Sequence, residues 1–87
     1  MFRVEAKRRA LRALAKLTIK RKSRIKEVIL ILKNDPIPFR RLDVAKLKGY
    51  ENTYRIRVGD LRIVYEVNWD KKRILIHFIG SRERAYE

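Results

Sequence analysis

Cysteine is absent from this 87-residue chain, histidine occurs once, and glutamine does not occur at all. Without cysteine there is neither a disulfide framework nor a thiolate metal site, and a lone histidine cannot build a two-histidine metal site. The three glycines stand apart, so no glycine-rich loop cradles a phosphate. No apolar run approaches the roughly 18 residues of a membrane span, and the first residues carry no short apolar core with a cleavage site. These absences leave a reducing-compartment, cytoplasmic protein that uses no bound metal or cofactor.

Acid is scarce as well. Twenty-four Lys and Arg stand against ten Asp and Glu, a formal charge of +14 on one small domain. Such a field attracts polyanions, nucleic acid first among them. The hydrophobic fraction of 46% is that of a folded protein, so the charge is not a mark of disorder. Eighty-seven residues bury a single modest core, and no repeat or linker divides them; residues 1–87 read as one domain.

Between Lys7 and Lys26 there are ten basic residues and no acidic one. Solvated helix faces usually interleave both signs, whereas one-signed density suits a phosphate backbone and the release of its counterions. Lys7, Arg8, Arg12, Lys20, Arg21 and Lys22 are therefore RNA-binding candidates, joined by Lys46 and Lys48 farther on. Nucleic acid is preferred to a membrane as the partner here, because residues 6–32 lack the aromatic anchors of an interfacial helix.

The apolar spacing sets the elements. Phe2 and Val4 about Arg3 suggest a first strand, and Ala10, Ala13, Leu14 and Leu17 an amphipathic helix over Ala6 to Leu17. Ser23 reads as a cap or early-turn residue before Ile25, Val28, Ile29 and Leu32, which recur at i, i+3, i+4 and i+7. Asp35-Pro-Ile-Pro38 stops this second helix near Asn34 and opens a basic loop that runs to Gly49.

Tyr54-Arg-Ile-Arg-Val-Gly-Asp-Leu-Arg-Ile-Val-Tyr65 alternates strictly about Gly59-Asp60, the pattern of a β-hairpin. Counting back from the turn sets Arg57 opposite Arg62, Ile56 opposite Ile63 and Arg55 opposite Val64. One face is then apolar and the other carries three arginines. Opposed like charges cost a strand pair a few tenths to ~1 kcal/mol, a cost that an anionic ligand removes. A last strand over Arg73 to Ile79, pairing Asn68 with Arg73, places Ile74, Ile76 and Phe78 in the core, and Leu75, His77 and Ile79 on the arginine face. The order β-α-α-β-β-β gives an α+β fold, a helical hairpin packed on a small antiparallel sheet.

Arg55, Arg57 and Arg62, with Arg82 and Arg84 from the C-terminal segment, form a candidate phosphodiester clamp, because guanidinium binds phosphate oxygens in a bidentate fork. Arginine does not act as a base at ordinary pH. Histidine does, but a lone strand histidine is more often a packing residue, and His77 is read as one. Tyr86 is a candidate for base stacking or proton handling.

Lys46-Leu-Lys-Gly49, the Tyr54 to Val67 segment and Gly80-Ser-Arg-Glu-Arg84 together resemble the RelE family of toxin–antitoxin ribonucleases, within the RelE/ParE superfamily and nearest its archaeal members. The resemblance spans nearly the whole chain. It implies ribosome-dependent cleavage of messenger RNA in the A site by 2′-hydroxyl attack without a metal, and sequestration by an amphipathic RelB-like antitoxin. Residue by residue, it lays the family's catalytic positions on Arg55, Arg57, Arg62 and Arg82, with a late tyrosine at Tyr86. Bacterial members carry lysines where Arg55 and Arg57 stand, and their late tyrosine lies two residues farther from the arginine matched by Arg82 than Tyr86 does here. The alternative is a non-enzymatic binder, either a ParE-like gyrase inhibitor or a basic nucleic-acid-binding module.

Overall fold

Two helices lie on one face of a five-stranded sheet, and the computed structural model describes residues 1–81 of the chain. The elements run β1 (Arg3–Ala6), α1 (Arg8–Ala15), α2 (Ile19–Asn34), β2 (Asp43–Lys46), β3 (Thr53–Val58), β4 (Leu61–Asn68) and β5 (Arg73–Gly80). In space the strands are ordered β1-β5-β4-β3-β2.

The sheet is mixed, which corrects the antiparallel expectation. β2 to β5 form an antiparallel meander, but β1 joins β5 in parallel, with Val4 beside Ile74 and Ala6 beside Ile76. The helical hairpin covers the sheet between β1 and β2, so the first strand and the meander end at opposite edges. β2 itself was read as loop. Its four residues begin and end on charges, too short a pattern to announce a strand, and pairing with β3 across Asp43–Arg57 and Lys46–Tyr54 makes it one.

The helices also differ at their boundaries. α1 is confined to Arg8–Ala15, while α2 starts at Ile19, ahead of Ser23. Thr18 is the true N-cap, its Oγ1 accepting the Arg21 amide at 3.3 Å. Ile19 is 86% exposed, so apolar periodicity could not register the first turn it opens. Downstream the spacing held, and Ile25, Val28 and Leu32 are buried against the sheet.

The hairpin has the expected register throughout, from Val58–Leu61 to Tyr54–Tyr65. Gly59 takes φ 63°, the positive value such a turn demands of its first central residue. The β4–β5 pairing begins as expected, Asn68 with Arg73 and Tyr65 with Ile76, and then slips by one at a β-bulge. Val64 faces Phe78, Ile63 faces Ile79, and His77 is the extra residue. The assignments of Phe78 and Ile79 are thereby exchanged. Ile79 is 3% exposed in the core, and Phe78 stands on the other face. Period-2 counting carries no signal of an inserted residue.

Ile56, Ile63, Tyr65, Val67, Ile74, Ile76 and Ile79 from the sheet meet Ala10, Ile25, Val28 and Leu32 from the helices. Tyr65 is fully buried; its hydroxyl donates to the Pro36 carbonyl at 2.7 Å, and its ring stacks on Tyr54 at 5.8 Å. Burial, then the neighbouring Tyr54 and Asp35, raises the Tyr65 phenol well above its ordinary range. Trp69 packs edge-on against Phe2 at 5.7 Å, which gives this turn aromatic a structural task.

Candidate active site

Opposite the helices the sheet is open, and alternation along β3 and β4 delivers Arg55, Arg57 and Arg62 to that face. Arg57 and Arg62 stand directly opposite one another, a spacing of roughly 5 Å at Cβ. Arg55 lies two residues from Arg57, beside Val64. Val64 is only 4% exposed although it belongs to no part of the helix-side core, with Arg55 on one flank and Phe78 on the other. Arg55 Nη1 and Arg62 Nε are enclosed by protein. Two guanidiniums are thus sunk into the face.

Among the described residues, Asp43 is an acid that enters this group. Asp43 on β2 pairs with Arg57, Nε to Oδ2 3.9 Å, with both side chains half-exposed. A solvent-screened contact of that length contributes ~0–1 kcal/mol and leaves Arg57 available to a better anion. Asp43 was not foreseen because its strand was not.

β5 closes the far side. Gly80 is level with Arg62, so the chain leaves the sheet beside the arginines. The Phe78 ring lies against Gly80, and a Cβ there would meet Phe78 Cζ at 2.6 Å. Only glycine permits that approach.

His77 keeps the open-face position that alternation gives it, and its Nε2 lies 2.9 Å from Glu66 Oε1. His77 is largely covered and Glu66 half-exposed. Lys7, Tyr50, Glu51 and Thr53 complete a cleft of about 430 Å³ around this pair. Glu66 was legible as the next member of the series Arg62, Val64, Glu66, and His77 was expected on the same face, although their contact was not.

The remaining cations scatter about the molecule. Arg8 and Arg12 lie on α1 and Lys20, Arg21 and Lys22 in the first turn of α2, on the helix-bearing side. Arg21 Nη2 meets Asp60 Oδ2 at 2.6 Å, tying α2 to the hairpin turn, where Lys20, Arg24 and Val58 line a smaller cleft of about 220 Å³. Positive charge therefore continues from the arginine face around the hairpin tip. Lys46, opposite Tyr54, takes the helix side of β2, and Lys48 sits in the following turn. Neither shares the arginine face by register. Arg82, Arg84 and Tyr86 lie outside the described residues. Among the described residues, no three His, Asp or Glu side chains converge as metal ligands.

Residues 4–86 match the family model described as the ParE toxin of the type II toxin–antitoxin system parDE. The chain belongs to that family, on its RelE branch. The branch follows from a Methanocaldococcus jannaschii protein assigned as toxin RelE1, 41% identical over 86 residues that cover 99% of this chain and 96% of the relative. The RelE of the archaeal RelE–RelB complex from Pyrococcus horikoshii superposes with a TM-score of 0.85 at 36% identity, over 95% of this chain and 97% of that one. The intact E. coli RelBE complex gives 0.81 at 23% identity over 97% and 100%, a likeness of fold. This RelE-type chain is thus a type II toxin by family, with two helices on a five-stranded mixed sheet.

Proposed function

We propose that this toxin is a messenger endoribonuclease that works in the ribosomal A site, cleaving RNA by attack of a 2′-hydroxyl on the adjacent phosphate without a metal. The observation that carries the reading is the opposition of Arg57 to Arg62, with Arg55 on the same face. That arrangement sets like charges side by side and gains most when a phosphodiester lies between the guanidiniums.

A phosphate in this position meets planar forks from two strands. As the 2′-oxygen attacks, negative charge grows on the non-bridging oxygens, where fixed guanidiniums stabilise it more than in the ground state. Arg55, Arg57 and Arg62 hold the scissile phosphate, Arg82 stabilises the transition state, and Tyr86 stacks on a base or moves a proton. Arg84, Lys46, Lys48 and the helix cations Lys7, Arg8, Arg12, Lys20, Arg21 and Lys22 bind ribosomal RNA.

The structural relatives from P. horikoshii and M. jannaschii are complexes of RelE with RelB. A RelB-like antitoxin is accordingly the expected partner here, and Leu11, Ile19, Leu30 and Phe39, all more than half exposed, supply apolar anchors for an amphipathic segment. A ribosomal target implies action in the cytoplasm, and among the described residues no helix is long and apolar enough to cross a membrane.

Incubation of the purified toxin with a translating extract tests the reading. Cleaved messenger is expected, with a loss of roughly 10²-fold or more for Arg62→Ala and for Arg82→Ala. A second reading draws on the family model's own description as a ParE toxin: a non-enzymatic gyrase inhibitor or nucleic-acid binder. Such a protein leaves the transcript whole at every concentration.

A further inference from the structure

Arginine holds charge but does not accept the nucleophile's proton, so a metal-independent cleavage at this face requires a separate base. We infer that His77, oriented by Glu66, is that base; the inference rests on the ribonuclease reading above and deepens it.

Three observations converge on His77. First, the bulge between the Tyr65–Ile76 and Val64–Phe78 pairs inserts one residue, and the consecutive side chains His77 and Phe78 both serve the open face. The bulge re-aims Phe78 out of the core, while His77 keeps the open-face position that alternation gives it; bulges often lie beside active sites. Secondly, Glu66 Oε1 lies 2.9 Å from Nε2. With Nε2–H donating to the carboxylate, the neutral ring keeps its lone pair on Nδ1, the division of labour seen wherever a carboxylate fixes a catalytic imidazole. Thirdly, His77 is near the arginines. Two strand spacings and a fraction of a residue rise set its Cα about 10 Å from that of Arg55, a gap that one ribose and its phosphate bridge.

The charged groups facing the imidazole come from several elements. Lys7 approaches from the β1–α1 junction and Arg9 from the first turn of α1, the Arg9 Nε donating to the His77 carbonyl at 3.3 Å. Glu66 comes from β4, and Glu51 with Tyr50 from the turn before β3. The cleft they line admits a ribose next to the arginine-bound phosphate.

The step balances as follows. The 2′-hydroxyl gives its proton to His77 Nδ1 while the 2′-oxygen forms a bond to phosphorus. The bond from phosphorus to O5′ breaks, and O5′ takes a proton from water. The resulting hydroxide recovers the proton from the imidazolium, leaving a 2′,3′-cyclic phosphate and a 5′-hydroxyl.

Single-turnover cleavage on programmed ribosomes, measured across pH, tests this for the unaltered toxin, His77→Gln, Glu66→Gln and Arg62→Ala. The unaltered toxin should lose rate towards acid. His77→Gln should cleave roughly a hundredfold or more slowly with that acid limb gone, while ribosome co-sedimentation and melting temperature are kept. Arg62→Ala should be slow yet retain the limb. Glu66→Gln should be slowed and its limb displaced, since an amide replaces the carboxylate beside the ring. Cleavage by His77→Gln at the unaltered rate, or an acid limb that survives it, overturns the proposal while leaving the ribonuclease reading intact. Should His77→Gln melt early, an acid limb unmoved in Glu66→Gln overturns it instead. No cleavage by the unaltered toxin defeats the ribonuclease reading and the proposal together.

Discussion

The two faces of the β3–β4 hairpin differ by a single residue step and by almost everything else. Ile56 and Ile63 are fully buried beneath α2, while Arg57 and Arg62, their immediate neighbours, stand on the open side. One face gains by excluding water. The other sets arginine opposite arginine, an arrangement that suits an anionic ligand better than it suits folding. Stability and function are therefore separable along one strand, and adjacent substitutions should report on them independently.

The largest effect is expected on the covered side. Ile63→Ala removes a side chain with no exposed surface from a packed core and should cost about 2–5 kcal/mol, each kcal/mol lowering Tm by about 4–8 °C in a domain of this size. Arg62→Ala, one residue away on the open face, should cost less than about 1 kcal/mol of urea-unfolding stability, because relief of a like-charge pair offsets the contacts that the side chain loses. Equal losses in the two variants would break the comparison, since Arg62 would then be a structural residue.

How much of this was legible follows from the range of each signal. The arginine face was readable because a two-residue turn propagates its register locally, from Val58–Leu61 back to Tyr54–Tyr65. The core of α2 was readable because Ile25, Val28 and Leu32 repeat at helical spacing. β2 was not, because Asp43 and Lys46 acquire strand geometry only through pairing with Arg57 and Tyr54. Nor was the bulge at His77, which depends on how β5 must bend to keep Ile79 in the core. The parallel docking of β1 is likewise a contact between residues some seventy positions apart, beyond any local pattern. Local alternation was a sound guide to the arginines and to the face that Glu66 and His77 share; it failed from Phe78 onward, past the bulge.

A smaller test sharpens the covered side through the buried hydroxyl of Tyr65. Tyr65→Phe loses the bond to the Pro36 carbonyl and should cost about 1 kcal/mol at neutral pH. Burial raises the folded phenol, whereas the unfolded phenol ionises near its ordinary value of 10.0. The stabilising difference is thus fully present below pH 10 and declines above it, by up to about 1.4 kcal/mol per pH unit while the folded phenol stays neutral. Denaturant titrations of both proteins should converge as pH rises beyond 10. A gap that stays constant would show that the folded and unfolded phenols titrate together.

The smallest effect belongs to the open face and concerns what Arg57 does when no RNA is bound. Its contact with Asp43 spans 3.9 Å between half-exposed groups, so Asp43→Asn should change stability by less than about 1 kcal/mol. If the carboxylate competes with phosphate for Arg57, its removal frees that guanidinium. RNA should then bind a few-fold more tightly at low salt, with a slope of log affinity against log salt that steepens by no more than about one counterion. Weaker binding in the variant would reverse the interpretation: Asp43 would then hold Arg57 in register with Arg62, and the edge strand β2 would contribute to the site by positioning and not by competing.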